Sequence, residues 1–130
     1  MTARDLAAEL VRRLNEGDID RAAALFAPDA ELFFPRYAPR TVFRGEGQLR
    51  EFVGWLTEVL PRQTLAVGRV TATDTSATLE FETAGVSHRG IDFDNTGVLV
   101  IDTAGDRICA LRVYLDTADL GRILSLPAAS

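Results

Sequence analysis

Between Thr71 and Asp116 the chain alternates apolar and polar residues in three successive runs, Thr75 to Val86, Asp92 to Asp102 and Arg107 to Leu115. That period of two is the signature of strands with one buried face. Only Ser87-His88-Arg89-Gly90 and Ala104-Gly105-Asp106 separate the runs. Connections this short join antiparallel neighbours, because parallel strands need a crossover of about a dozen residues or more. Leu65 to Thr73, turning through Asp74-Thr75, adds a fourth strand in front of them. A stack of hairpins is therefore the frame on which the rest must pack.

The N-terminal part has a different period. Leu6, Leu10, Val11 and Leu14 recur at helical spacing among charged residues, so residues 2 to 15 read as an amphipathic helix ended by Gly17. A short alanine-rich helix follows from Ile19 to Phe26, closed by Pro28-Asp29. Glu31 to Phe34 reads as a brief strand, and Pro35 to Pro39 as a loop carrying Arg36 and Tyr37. Gly45 to Leu60 forms a third helix with Leu49, Phe52, Val53, Leu56 and Leu60 on one stripe and Trp55 beside it. After the last strand, Asp116 to Asp119 supplies a capping oxygen for a final turn or two at Leu120 to Leu124, and Pro127 to Ser130 is expected to fray.

Composition narrows the class. A chain of 130 residues, 47% hydrophobic and 25% charged, is sized for one domain over residues 1 to 130 and buries about two-thirds of its unfolded surface. The net charge of −5 argues against a nucleic-acid partner, which calls for a clustered basic surface. No stretch reads as a membrane span or a signal peptide, so a cytoplasmic location is expected. Cys109 is the single cysteine, so no intrachain disulfide is possible, and its apolar neighbours suit a small buried hydrophobe. His88 has no Cys or His companion at ligand spacing, so neither a metal nor a cofactor is implied.

Helices around a short strand, then four longer strands and a C-terminal turn, make an α+β layer arrangement. Within it, Asn15-Glu16-Gly17-Asp18, Leu25-Phe26-Ala27-Pro28-Asp29-Ala30, Phe43-Arg44-Gly45-Glu46-Gly47 and Arg112-Val113-Tyr114-Leu115-Asp116 resemble recurring phrases of the SnoaL-like polyketide cyclases, in the nuclear transport factor 2-like (NTF2-like) superfamily. The resemblance implies a cone-shaped, curved antiparallel sheet with three N-terminal helices on its concave face, a cystatin-like roll. It implies a mostly apolar pocket under those helices and a homodimer through the open face of the sheet. It also implies cofactor-free acid–base chemistry (cyclisation, isomerisation or epoxide opening) on a hydrophobic, polyketide- or terpene-like substrate. The alternative on the same fold is a module that only binds a hydrophobic ligand or dimerises.

Matched position by position, the oxyanion and base residues of the ketosteroid isomerase branch fall on Leu10, Gly97 and Phe34, which cannot serve. The polar set of the limonene epoxide hydrolase branch falls on Glu80, Glu82, Val113, Glu31 and Phe33, so one acid persists without its partner. If Glu80 and Glu82 face the cavity, as the resemblance suggests, desolvation would tune Glu82 as the proton carrier, with Glu80 and Glu31 as electrostatic neighbours. Asn95 would then orient a substrate carbonyl. The pattern alone allows the reverse, with Leu79 and Phe81 packed inward and both glutamates in water. Phe33, Tyr37, Trp55, His88, Gly97, Leu99 and Val113 complete the expected substrate surface. For Tyr37 and Trp55 ordinary packing competes with a place at the pocket mouth, and for His88 a solvated turn competes with the rim.

Overall fold

The structure, a computed structural model, describes residues 1–125; the expected fraying of Pro127 to Ser130 lies outside the described residues. The chain begins with helix α1, Ala3–Glu16, which starts on a capping box: Thr2 Oγ1 accepts the Asp5 N–H and the Asp5 carboxylate accepts the Thr2 N–H. The Thr2 backbone bond, then its hydroxyl, hold the Asp5 carboxyl below its usual pKa. Gly17 ends α1 in the left-handed region at φ 69°, as its position suggested. Helix α2, Ile19–Ala24, is capped by Asp18.

Strand β1 runs Phe26–Phe33, β2 Val42–Arg44, then helix α3 Gly45–Val59, β3 Thr64–Ala72, β4 Ser76–Val86, β5 Asp92–Ala104, β6 Arg107–Leu115 and helix α4 Thr117–Ser125. The strands form one six-stranded sheet in the order β2-β1-β6-β5-β4-β3. All neighbours are antiparallel except β1 and β6, which run parallel. The curved antiparallel sheet expected from the sequence is present, with this one parallel pair inside it. Those two strands are separated by most of the chain, so no hairpin fixes their direction.

Two further boundaries differ from the sequence reading. Phe26 belongs to β1 rather than to the second helix, and the strand continues through Pro28 because its register with β6 shifts between Phe26 and Glu31, where no N–H is required of the proline. The three-residue β2, too short to show alternation, pairs Phe43 with Leu32.

Alternation decides what the sheet buries. Ala77, Leu79, Phe81 and Thr83 of β4, Phe93, Asn95, Leu99 and Ile101 of β5, and Leu111 and Val113 of β6 are all buried on one side. Helix α1 covers that side with Leu6, Leu10 and Val11, and α3 with Leu49, Phe52, Val53 and Leu56. The C-terminus of α1 is tied to the edge strand by Asn15, whose side chain accepts from the Leu65 N–H at 2.7 Å and donates to the Leu65 carbonyl at 3.0 Å. Cys109 is half-buried rather than fully buried, and its thiol donates to the Asp102 carbonyl.

Candidate functional site

The concave face and the helices do not quite meet. Between them lies a cavity of about 60 Å³, walled by Phe81, Thr83, Phe93, Asn95 and Leu99 of the sheet, Leu10 and Leu14 of α1, Phe52 and Leu56 of α3, and Leu120 and Ile123 of α4. Three lining residues are polar, and the other fifteen are apolar. A water occupies about 30 Å³ of bulk volume, so the space holds a few atoms, whereas ligand pockets span roughly 300–1,000 Å³.

The polar residues are grouped. Thr83 and Asn95 stand directly opposite each other on β4 and β5, which brings cross-strand side chains to within about 5 Å at Cβ. The Thr83 hydroxyl donates to Gln63 Oε1 at 2.9 Å. Gln63 reaches this point because the Arg62–Gln63 backbone lies directly against Gly85, where a Cβ would sit 2.8 Å from the Gln63 Cα. Any larger residue at 85 would push that segment away. Asn95 is 7% exposed; its Oδ1 accepts from Thr96 N at 2.8 Å and Asp116 N at 3.3 Å, while Nδ2 donates to the Asp116 carbonyl at 3.1 Å. One N–H of that amide is left over, as are the Gln63 NH₂ group and the Thr83 oxygen lone pairs. The patch offers neutral donors and acceptors, and no charge.

Of the residues singled out from the sequence, Asn95, Leu99 and Val113 line this cavity. Glu80 and Glu82 do not. Both are exposed on the opposite face of β4, beside Ala66, Gly68 and Val98, and the expectation that they face the cavity is corrected. Burying Leu79 and Phe81 is favourable by roughly 1.5–3 kcal/mol each, whereas burying two unpaired carboxylates would cost several, so the strand turns its apolar side in. Glu31 lies on the same outer face and pairs with Arg44 at 3.3 Å. Phe33 is also outside, its ring 5.6 Å from that of Tyr114.

Trp55 stands behind the lining, its ring 5.6 Å from Phe34. His88 is exposed in the β4–β5 turn with Nδ1 3.2 Å from the Val59 carbonyl oxygen. Gly97 is covered by the Phe81 ring, 2.7 Å from where its Cβ would be, and so presents nothing to the cavity. Tyr37 is 45% exposed, outside the cavity, with its ring against Gly121 of α4. Asp116 caps α4 by accepting from Asp119 N, and Arg112 pairs with Asp102 at 3.0 Å on the outer face.

Sequence reading missed Thr83 and Gln63. Thr83 was legible, because it shares the parity of Leu79 and Phe81; Gln63 was not, because it arrives through the close approach to Gly85. Among the described residues no group of three or more His, Cys, Asp or Glu is placed to hold a metal ion. No helix among them is long and apolar enough to cross a membrane.

A curved α+β roll with an apolar hollow between sheet and helices defines a class of protein, and comparison with known proteins agrees. The chain belongs to the SnoaL-like domain family, whose model matches residues 7–111. No curated protein matches it. Among solved structures, an NTF2-like protein of unknown function from Burkholderia pseudomallei K96243 superposes with TM-score 0.87 at 16% identity, over 95% of this chain and 98% of that one. TerC, co-crystallised with polyporic acid, gives TM-score 0.85 at 16% identity over 95% and 98%. SalBIII, an epoxide hydrolase/cyclase-like enzyme with a role in pyran ring formation in the polyether salinomycin, gives 0.75 at 22% over 90% and 92%. At such identities the similarity is one of fold.

Proposed function

We propose that this SnoaL-like chain binds a small, neutral, hydrophobic molecule in the hollow between sheet and helices, with an oxygen of that molecule seated on Gln63, Thr83 and Asn95. The observation that carries this reading is the make-up of the lining, fifteen apolar residues and three uncharged polar ones. Apolar walls supply the affinity and a few placed polar groups the orientation. General acid–base catalysis needs a titratable group within hydrogen-bond reach of the substrate, and the described lining contains none. Glu80, Glu82 and Glu31 therefore have no proton-carrying role in this reading.

A second reading keeps catalysis and is favoured by the spare amide N–H groups of Gln63 and Asn95. A carbonyl held by such donors is polarised, and confinement alone brings the two ends of a flexible chain together for ring closure. TerC and SalBIII have this fold, and the ligand and reaction named for them are of the hydrophobic, oxygenated kind such a pocket suits.

The partner surface belongs to the same proposal. On the outer face, Phe33, Tyr114 and Val98 lie on the adjacent strands β1, β6 and β5, with Arg112 beside Phe33 and Glu80 beside Val98. A two-fold axis through these residues would set the exposed Tyr114 ring and its apolar neighbours of one copy against those of the next.

Titrating flat hydroxylated aromatics and cyclic ketones, with the single tryptophan, Trp55, as reporter behind the lining, tests the binding reading. Thr83→Val should weaken binding roughly two- to tenfold, the worth of one neutral hydrogen bond. Glu82→Gln should leave both binding and any turnover unchanged. Turnover abolished by Glu82→Gln would overturn the assignment.

A further inference from the structure

The hollow proposed above as the binding site is, at about 60 Å³, too small for the molecules it is shaped to receive. A wall must therefore move. The sheet wall is continuous hydrogen-bonded ladder, and α1 and α3 are each anchored by several residues no more than 3% exposed. Helix α4 is the shortest of the three: nine residues long, it rests on two such side chains, Leu120 and Ile123, 3% and 1% exposed, and both are lining residues. Beyond that burial, two contacts among the described residues hold α4 to the rest of the fold.

At its start, the Asn95 amide grips both the N–H and the carbonyl of Asp116, and Asp116 in turn caps the helix. At its middle, the Tyr37 ring from the β1–β2 loop lies against Gly121, where a Cβ would be 2.7 Å from the Tyr37 Cζ. Tyr37 is the one non-glycine residue in the described chain with positive φ, 78°, a strained conformation that persists only when its surroundings hold it. The ring sits half in solvent with the Arg36 guanidinium 5.5 Å from its centre, so it rests on the helix surface rather than within the core.

We propose that α4 is the gate of the pocket, pivoting at the Asn95–Asp116 contact and latched by Tyr37 on Gly121. This rests on the binding reading above. The strained loop stores part of what the latch gains, so the closed state is only modestly favoured and opening needs no unfolding of the sheet. Because the pivot residue is also a lining residue, a ligand oxygen that recruits the spare Asn95 N–H acts at the point on which α4 turns.

Tyr37→Gly removes the ring and relieves the backbone, so folding is not put at risk. Stopped-flow association of N-phenyl-1-naphthylamine, a neutral apolar fluorophore, should be about fivefold faster in this variant, with dissociation accelerated similarly and affinity nearly unchanged. Gly121→Ala should also speed association, although alanine strengthens the helix itself; slower association in that variant would overturn the latch. Without any ligand, hydrogen exchange of the Leu120 to Leu124 amides should rise in Tyr37→Gly while the β5 amides stay protected. Exchange of α4 only together with β5 would overturn the gate. Leu99→Trp, which fills the hollow, separates the two claims: equal probe binding by that variant, or none by the wild type, removes the binding reading. Binding lost in Leu99→Trp but unaltered in rate by both latch variants removes the gate alone.

Discussion

The two faces of β4 differ sharply, although they share one backbone. Ala77, Leu79 and Phe81, turned toward the helices, are 1%, 2% and 5% exposed; Glu80 and Glu82, one residue away in each case, stand in solvent. The same contrast continues across the ladder, where Leu99 faces Leu79 on the inside and Val98 faces Glu80 on the outside. The inner face is bound by volume, since it packs on the helices around one small cavity. The outer face is bound only by solubility and by whatever docks on it. Stability and pocket shape therefore belong to one side of the strand, and charge to the other.

Truncation on each face is the strongest way to break this contrast. Leu79→Ala leaves a hole opposite Leu99 and should cost about 2–5 kcal/mol of unfolding free energy. Glu80→Ala, one residue on, should stay within about 0.5 kcal/mol. Urea unfolding of both, with an unchanged denaturant slope, makes the comparison; equal losses would mean that the outer face is as tightly packed as the inner one.

A smaller effect is expected where the faces nearly touch. At Gly97 an added Cβ would meet the Tyr114 carbonyl on the neighbouring strand and the Phe81 ring, 2.7 Å away. The ring can rotate into the hollow, but the carbonyl belongs to the ladder and cannot. Gly97→Ala should cost about 1–3 kcal/mol, and it should also shrink the pocket by driving Phe81 inward. Measuring stability and probe affinity together separates those consequences, and a stability loss with unaltered affinity would place the strain on the ladder alone.

Much of this arrangement was written in the sequence, and what was not has a common cause. The β4, β5 and β6 runs, the three N-terminal helices and the family follow from local periodicity and from phrases such as Phe43-Arg44-Gly45, so the α+β roll was legible. Period two states which residues share a face, but not which face turns inward. That choice rests on burying Leu79 and Phe81 against helices distant in sequence. Glu80 and Glu82 could thus be placed together correctly and on the wrong side. The parallel pairing of β1 with β6 and the arrival of Gln63 beside Thr83 are likewise contacts between remote segments. Asn95 and Leu99 share the strand parity of Phe93, and Val113 was reached through the limonene epoxide hydrolase match, while the closure of the pocket by α4 depends on where Tyr37 happens to land.

A small effect on folding, and the sharpest on assembly, should come from Val98→Arg. Val98 lies on the outer face between Tyr114 and Glu80, its direct partners on β6 and β4. In a lone chain an arginine there can stack on the phenol and pair with the carboxylate, so its cost should stay within about 1 kcal/mol. In a homodimer built across this face the same change brings two buried guanidinium groups near the symmetry axis, and each must lose water without a new partner. Sedimentation equilibrium should therefore show a dimer for the native sequence and a monomer for the variant, with hydrophobic-probe binding retained because the pocket opens on the other side. A dimer that survives Val98→Arg would move the partner surface off the sheet and leave the outer face with charge alone to explain its make-up.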